Sequence, residues 1–191
     1  MLMDVKLLRH ARPRLADDSG SMLLELVLTL VFIAVAVGAL MSVFASSMIS
    51  LRNAGISGTA QTLVERQMEV YKTLPYPSLR LSAETIPDGS DVYVTRPPAT
   101  VSTGFVSVTG GTTSASACIS PEHARAECAK QTFPGPDGRT YRVDSYVIAA
   151  TPSGGRPGVK ITVAVRLMSG STPGPIKAQT TSAFDPASPP S

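Results

Sequence analysis

Tryptophan is absent, aromatic residues make up 5% of the 191 residues, and charged side chains only 16%. Ordinary globular domains carry about 25% charged residues. So thin a supply of aromatics, beside 15 Gly and 16 Pro, argues against a large enzyme built round a deep apolar cleft. Lysine and arginine exceed the acids only by 17 − 14 = +3, with no basic run, so no nucleic-acid partner is expected. Histidine occurs twice, as His10 and His123, too few to supply a Ser-His-Asp constellation with much choice. GxSxG, the phosphate loop and HExxH are all missing, and Asp88-Gly89 and Asp137-Gly138 read as turns rather than acid pairs. No enzymatic activity, cofactor or metal is expected.

What the chain does have is one long apolar run. From Leu26 to Leu51 no side chain is charged, and Leu26–Phe44 (LVLTLVFIAVAVGALMSVF) is nearly all apolar. A bilayer core of about 30 Å needs roughly 20 such residues in a helix, so this run can span it once. Lys6, Arg9, Arg12 and Arg14 precede it and no comparable cluster follows. The positive-inside bias then keeps the N-terminus cytoplasmic and puts the chain beyond about residue 50 outside, Asp4, Asp17 and Asp18 counting for little. Glu25 enters the apolar stretch. A carboxylate costs a few kcal/mol at the bilayer centre, which makes it a functional candidate; near the interface it would snorkel at little cost.

Gly20-Ser21-Met22-Leu23-Leu24-Glu25-Leu26, followed by the apolar run, resembles the N-terminal signature of type IV pilins and pseudopilins. The resemblance implies a basic leader, residues 1–20, cut between Gly20 and Ser21 by a prepilin peptidase. It leaves a mature chain of 191 − 20 = 171 residues with an N-methylated Ser21 and Glu25 at mature position five. The new amine of a neighbouring subunit would pair with Glu25 in a dry helix bundle and set the axial register, since desolvated charges need a partner. At Gly20 the peptidase can approach a backbone that lacks a Cβ. Two departures from the family pattern occur: Ser21, the residue to be methylated, stands where Phe or Met is usual, and Ser42 stands where many major pilins have proline, which points to a minor subunit. The implied partners are other pilin or pseudopilin subunits, the prepilin peptidase and the inner-membrane assembly platform, through which the assembly ATPase acts.

Beyond the membrane, residues 51–77 read as an amphipathic stalk. Leu63, Val64, Gln67, Met68, Val70, Tyr71 and Leu74 recur at spacings of three and four, with Glu65, Arg66, Glu69 and Lys72 mainly on the other side. Pro75 and Pro77 end the helix, and Gly38, Gly55 and Gly58 are soft points within it. Residues 78–184 read as a β-rich extracytoplasmic head. Val159, Ile161, Val163, Val165 and Leu167 alternate with Lys160, Thr162, Ala164 and Arg166, which predicts a strand burying one face, most simply against the stalk. Thr140–Ala150 and Ile176–Phe184 flank it, giving an antiparallel three-stranded meander; Asp91–Thr95 and Phe105–Thr109 are weaker strand candidates. Gly110–Ala117 reads as a flexible loop and residues 185–191 as a disordered tail. The expected fold class is α+β: a long N-terminal helix, half transmembrane and half amphipathic, packed on a small antiparallel sheet. ERQMEVYKTLPYPSL, and the order YRVDSYV, VKITVAVRL, SAFDP, look like minor pilins of actinobacterial type. That likeness covers roughly residues 20–80 and 140–186 and leaves 85–135 uncovered.

Cys118 and Cys128 are the only cysteines and lie outside in this topology, where a structural disulfide persists. Cys118-x4-His123-x4-Cys128 also has the spacing of three zinc-knuckle ligands, but Ala115 stands where the fourth would fall. Two readings compete with the filament subunit. Val43-Phe44-Ala45 before Ser46 fits an ordinary signal-peptidase site, which would release a secreted binding domain. An uncleaved anchor would instead carry an extracellular sensor or adhesin domain. Neither gives Glu25 a role.

Overall fold

The computed structural model describes residues 18–101, 104–119, 121–151 and 156–186. The leader expected at 1–20 and the tail expected at 185–191 therefore lie largely outside the described residues. The chain divides into two units, one ending at Ser50 and one beginning at Leu51.

Helix α1 runs from Asp18 to Lys72, 55 residues. Gly38, Gly55 and Gly58 do not break it, and a Cβ at any of them would meet no neighbour within 4 Å. In the first unit every described side chain from Met22 onward is exposed. Among the described residues this is the one helix long and apolar enough to cross a membrane. The chain is thus compatible with single-pass anchoring near its N-terminus.

In the second unit, Ile56, Ala60, Val64, Met68 and Tyr71 of α1 are buried at spacings of four and three, one face of a 3.6-residue helix. The buried stripe begins a turn or more before the stretch that sequence periodicity marks out. Leu63, Val70 and Leu74 are only partly buried at its margins. The helix closes at Lys72, two residues short of Leu74, as Pro75 requires.

After α1 come β1 (Leu81–Ser82), α2 (Val92–Thr95), β2 (Thr109–Gly111), β3 (Lys130–Pro134), β4 (Thr140–Ala150), β5 (Gly158–Ser169) and β6 (Thr172–Phe184). β1 and β2 form a two-stranded parallel pair. The main sheet is antiparallel in the order β3-β4-β5-β6. The molecule is α+β, a long N-terminal helix whose second half packs on a small antiparallel sheet.

Several expectations need correction. The meander expected over 140–184 forms as β4, β5 and β6, and a fourth strand, β3, joins it from outside that range; its inward residues are Gln131 and Phe133, and a polar residue at an inward position hides the alternation. Asp91–Thr95 is not a strand: Asp91 accepts the Tyr93 amide at 2.9 Å and caps the short helix α2. Of Phe105–Thr109, Ser107 makes an isolated bridge to Ile148 and Thr109 opens β2, so the expected strand is present only at its end. Residues 110–117 are not an open loop. Glu127 accepts hydrogen bonds from the Thr112 amide at 3.2 Å and from the amide and hydroxyl of Thr113, and Ala115–Cys118 make a 3-10 turn. β6 starts at Thr172 and takes in Pro173 and Pro175. Register shifts around Arg166 accommodate them, on an edge where proline removes no ladder bond.

The sheet is also buried on both faces, not one. Tyr141, Val143, Ser145 and Val147 of β4 share the α1 face with Val165, Val163 and Ile161 of β5. Thr162, Ala164 and Arg166 on the opposite face are buried too, under residues 91–101 and Phe105.

Candidate functional site

Gly20 and Ser21 lie in the first turn of α1, and the Ser21 side chain is outside the described residues. Glu25 follows one turn later, exposed. The Thr29 hydroxyl donates to the Glu25 backbone carbonyl at 2.7 Å, so that carbonyl, and not the carboxylate, is the group this turn satisfies internally. Among the described residues Glu25 has no ion-pair partner. Its neighbours one turn on, Leu28 and Thr29, carry no charge, and Met22 lies one turn back.

Cys118 and Cys128 are joined, with Cα atoms 5.7 Å apart and both residues buried. Both thiols are spent in the bridge, so the zinc-knuckle spacing around His123 forms no metal site. Among the described residues no cluster of three His, Cys, Asp or Glu is placed to hold a metal. The bridge pins the 3-10 turn Ala115–Cys118 to the residues leading into β3, beside the Glu127 carboxylate that holds Thr112 and Thr113.

Sequence reading missed the largest polar cluster. Asp144 on β4 is fully buried. Its Oδ1 accepts from Arg142 Nε at 2.6 Å and its Oδ2 from Arg166 Nε at 3.0 Å. Arg142 reaches on to Asp91 at 2.5 and 3.2 Å, and Arg166 donates to the carbonyls of Gly174 at 3.3 Å and of Arg96. Lys130 stands 3.5 Å from Asp91. The strand register explains the arrangement: Arg142 and Arg166 are direct partners on β4 and β5, and Asp144 lies two residues along on the same face.

Burial alone would raise the Asp91 carboxyl, but the Arg142 hydrogen bond, the Tyr93 amide and the charges of Arg142 and Lys130 outweigh it and hold it low. Burial likewise weakens the Arg142 charge, yet Asp91 and Asp144 together drive its pKa up. At Asp144 burial pushes the carboxyl up against the pull of both guanidiniums. Each of its oxygens accepts a guanidinium N–H, an arrangement that only the carboxylate form satisfies.

Two further contacts tie the head together. On the α1 face, Gln67 Nε2 donates to the Arg125 carbonyl at 2.9 Å, and Gln131 Nε2 donates to the same carbonyl at 2.7 Å and to Gln67 at 3.2 Å. On the other face Tyr93 stacks on Tyr146 with centroids 4.2 Å apart, and Phe105 meets both rings edge-on. The Tyr93 hydroxyl donates to the Ser145 carbonyl at 2.7 Å and the Tyr146 hydroxyl to the Tyr93 carbonyl at 3.0 Å. None of these groups is arranged as a nucleophile with a base. They clamp residues 91–101 and Phe105 to the sheet. Arg166 stands at a strand position that alternates with the apolar row and so reads as facing water; Arg142 and Arg166 become legible as a buried pair only once both faces are known to be covered. No protein-family model, curated protein or solved structure matches the chain.

Proposed function

We propose that the chain is a minor subunit of a type IV pilus or of a related secretion pseudopilus, entering the filament through α1. A prepilin peptidase cuts after Gly20, the amine of Ser21 is freed and methylated, and the head lies outside the membrane with the N-terminus inside. The inner-membrane platform then draws the subunit into a bundle of like helices. There Glu25 pairs with the amine of a neighbour, which compensates both charges in a dry environment. The head makes no bonds and breaks none; it serves as a structural and interaction domain.

One observation carries this reading. Glu25 has no counter-charge among the described residues, stands five residues after Gly20, and heads an apolar helical segment whose described side chains are exposed. A plain anchor needs no carboxylate there.

The test is the mature N-terminus, read by mass spectrometry on protein from its native host with and without the prepilin peptidase. A chain starting at Ser21 and dependent on the peptidase is expected, with an added methyl group. A start at Ser46 would identify a secreted domain, and an intact Met1 a permanent anchor; either result ends the filament reading. Glu25→Ala should still be cleaved yet be scarce in sheared filaments.

A further inference from the structure

The two edges of the main sheet differ. β3 closes one edge with five residues, an exposed Lys130 at its start and Pro134 at its end, both common means of blunting an edge. The other edge is β6: Pro173 and Pro175 blunt its first residues, and Ile176–Phe184 continue it for nine residues without proline and with Lys177 as the single charge. Among the described residues its backbone bonds run only to β5, and no loop or turn bonds to its outer side. Its side chains alternate cleanly: Ile176, Ala178, Thr180, Ser182 and Phe184 are half-buried, while Lys177, Gln179, Thr181 and Ala183 are exposed. The half-buried row sits on the α1 face, where the core is left incompletely covered. At the end of the strand lies a cavity of about 350 Å³, lined by Ala150, Val159, Ala183 and Phe184 together with Arg156 and Asp185.

We propose that β6 is a strand-addition site, taking an extended segment of another protein along its outer edge. An open row of alternating N–H and C=O groups is complemented by only one chemistry, an extended polypeptide, whose main chain supplies affinity while alternate side chains supply specificity. The charges choose between a second copy and a different partner. From Thr172 to Phe184 the only charge is Lys177 and there is no acid, so β6 paired with β6 finds no counter-charge within the strand. The segment that fits carries an acidic residue opposite Lys177 and, about six residues along, an apolar side chain for the cavity at Ala183 and Phe184. This inference goes beyond filament entry and holds whether or not Glu25 acts as proposed above.

The full chain in detergent micelles would be titrated with a synthetic decapeptide of alternating Val and Thr bearing one Glu and, six residues on, one Phe, made in both orders. Two backbone-methylated versions carry N-methyl groups on every second amide, in opposite phase. One phase should weaken binding about tenfold or more, because its amides face β6, and the other should leave binding intact, because its amides face away. Amide exchange within Ile176–Phe184 should slow at alternate residues on binding. Lys177→Glu should weaken binding several-fold, and Ala183→Trp, which fills the cavity, should remove the preference for Phe. Equal effects of the two methylation phases, uniform or absent exchange protection, or no binding of either peptide order would overturn the proposal. Concentration-dependent dimerisation without peptide, abolished by Gln179→Pro or Thr180→Pro, would assign the edge to a second copy and overturn it as well.

Discussion

Asp144 is the residue whose loss leaves most unsatisfied. Without it, Arg142 and Arg166 face one another across β4 and β5, both buried, with only Asp91 at the rim to offset them. Asp144→Ala should therefore destabilise the head by about 3–5 kcal/mol, read from urea unfolding in detergent. A loss below 1 kcal/mol would mean that water or a relaxed Arg166 takes over the carboxylate's role. The tyrosines carry the pH dependence at the alkaline end. Burial pushes the Tyr71 hydroxyl up to about 12, and pushes Tyr93 and Tyr146 up as well. An unfolded tyrosine ionises near 10, so between 10 and 12 the unfolded state releases protons that the folded state keeps. Stability is intact below about pH 10 and falls as pH rises through 12. Burial and the Asp137 carboxylate raise Tyr141 as well, so an absorbance titration at rising pH should show Tyr71, Tyr93, Tyr141 and Tyr146 ionising only together with unfolding; free titration of these four near 10 would contradict their burial.

At the level of elements, the disulfide and the strand faces matter most. Cys118 and Cys128 enclose nine residues, and closing so short a loop stabilises by roughly 2–3 kcal/mol on the chain-entropy account. Reduction should lower the urea midpoint accordingly and raise amide exchange at residues 112–119, while the Gln67–Gln131 contact between α1 and β3 keeps its protection. Collapse of the whole head on reduction would show that the bridge, and not the helix–sheet core, organises it. The strands also explain what was legible. Alternation in residues 159–167 locates β5, but the same alternation cannot say whether Thr162, Ala164 and Arg166 meet water or a second layer. The covering segment has no periodicity of its own: α2 is four residues long and the Phe105 region offers a single bridge. β3 escaped because one of its two inward residues is the buried Gln131, whose polarity breaks the apolar alternation. Asp91–Thr95 reads as a strand from its β-branched Val92, Val94 and Thr95, and folds as a capped turn because Asp91 is held by Arg142 from β4.

As a whole molecule the chain joins two units whose physics differ. Residues 22–50 expose their side chains throughout, whereas the described residues from Leu51 bury a core of aliphatic and tyrosine side chains. A fragment beginning at Leu51 should fold alone without detergent and melt cooperatively at the temperature of the full-length head, observed by circular dichroism. A fragment that melts without cooperativity would mean that the membrane segment is needed for the core. The amino-acid sequence by itself determined the features that are local and periodic: the uncharged run after Glu25, the three-and-four spacing along α1, the alternation of β4 to β6, and a cysteine pair close enough to join. Tertiary structure alone decided the second buried face, the five-group charge cluster through Asp144, and which sheet edge is open. These rest on residues tens of positions apart, Asp91 with Arg142 and Arg96 with Arg166, and burial gives such pairings their strength; no local pattern carries that information.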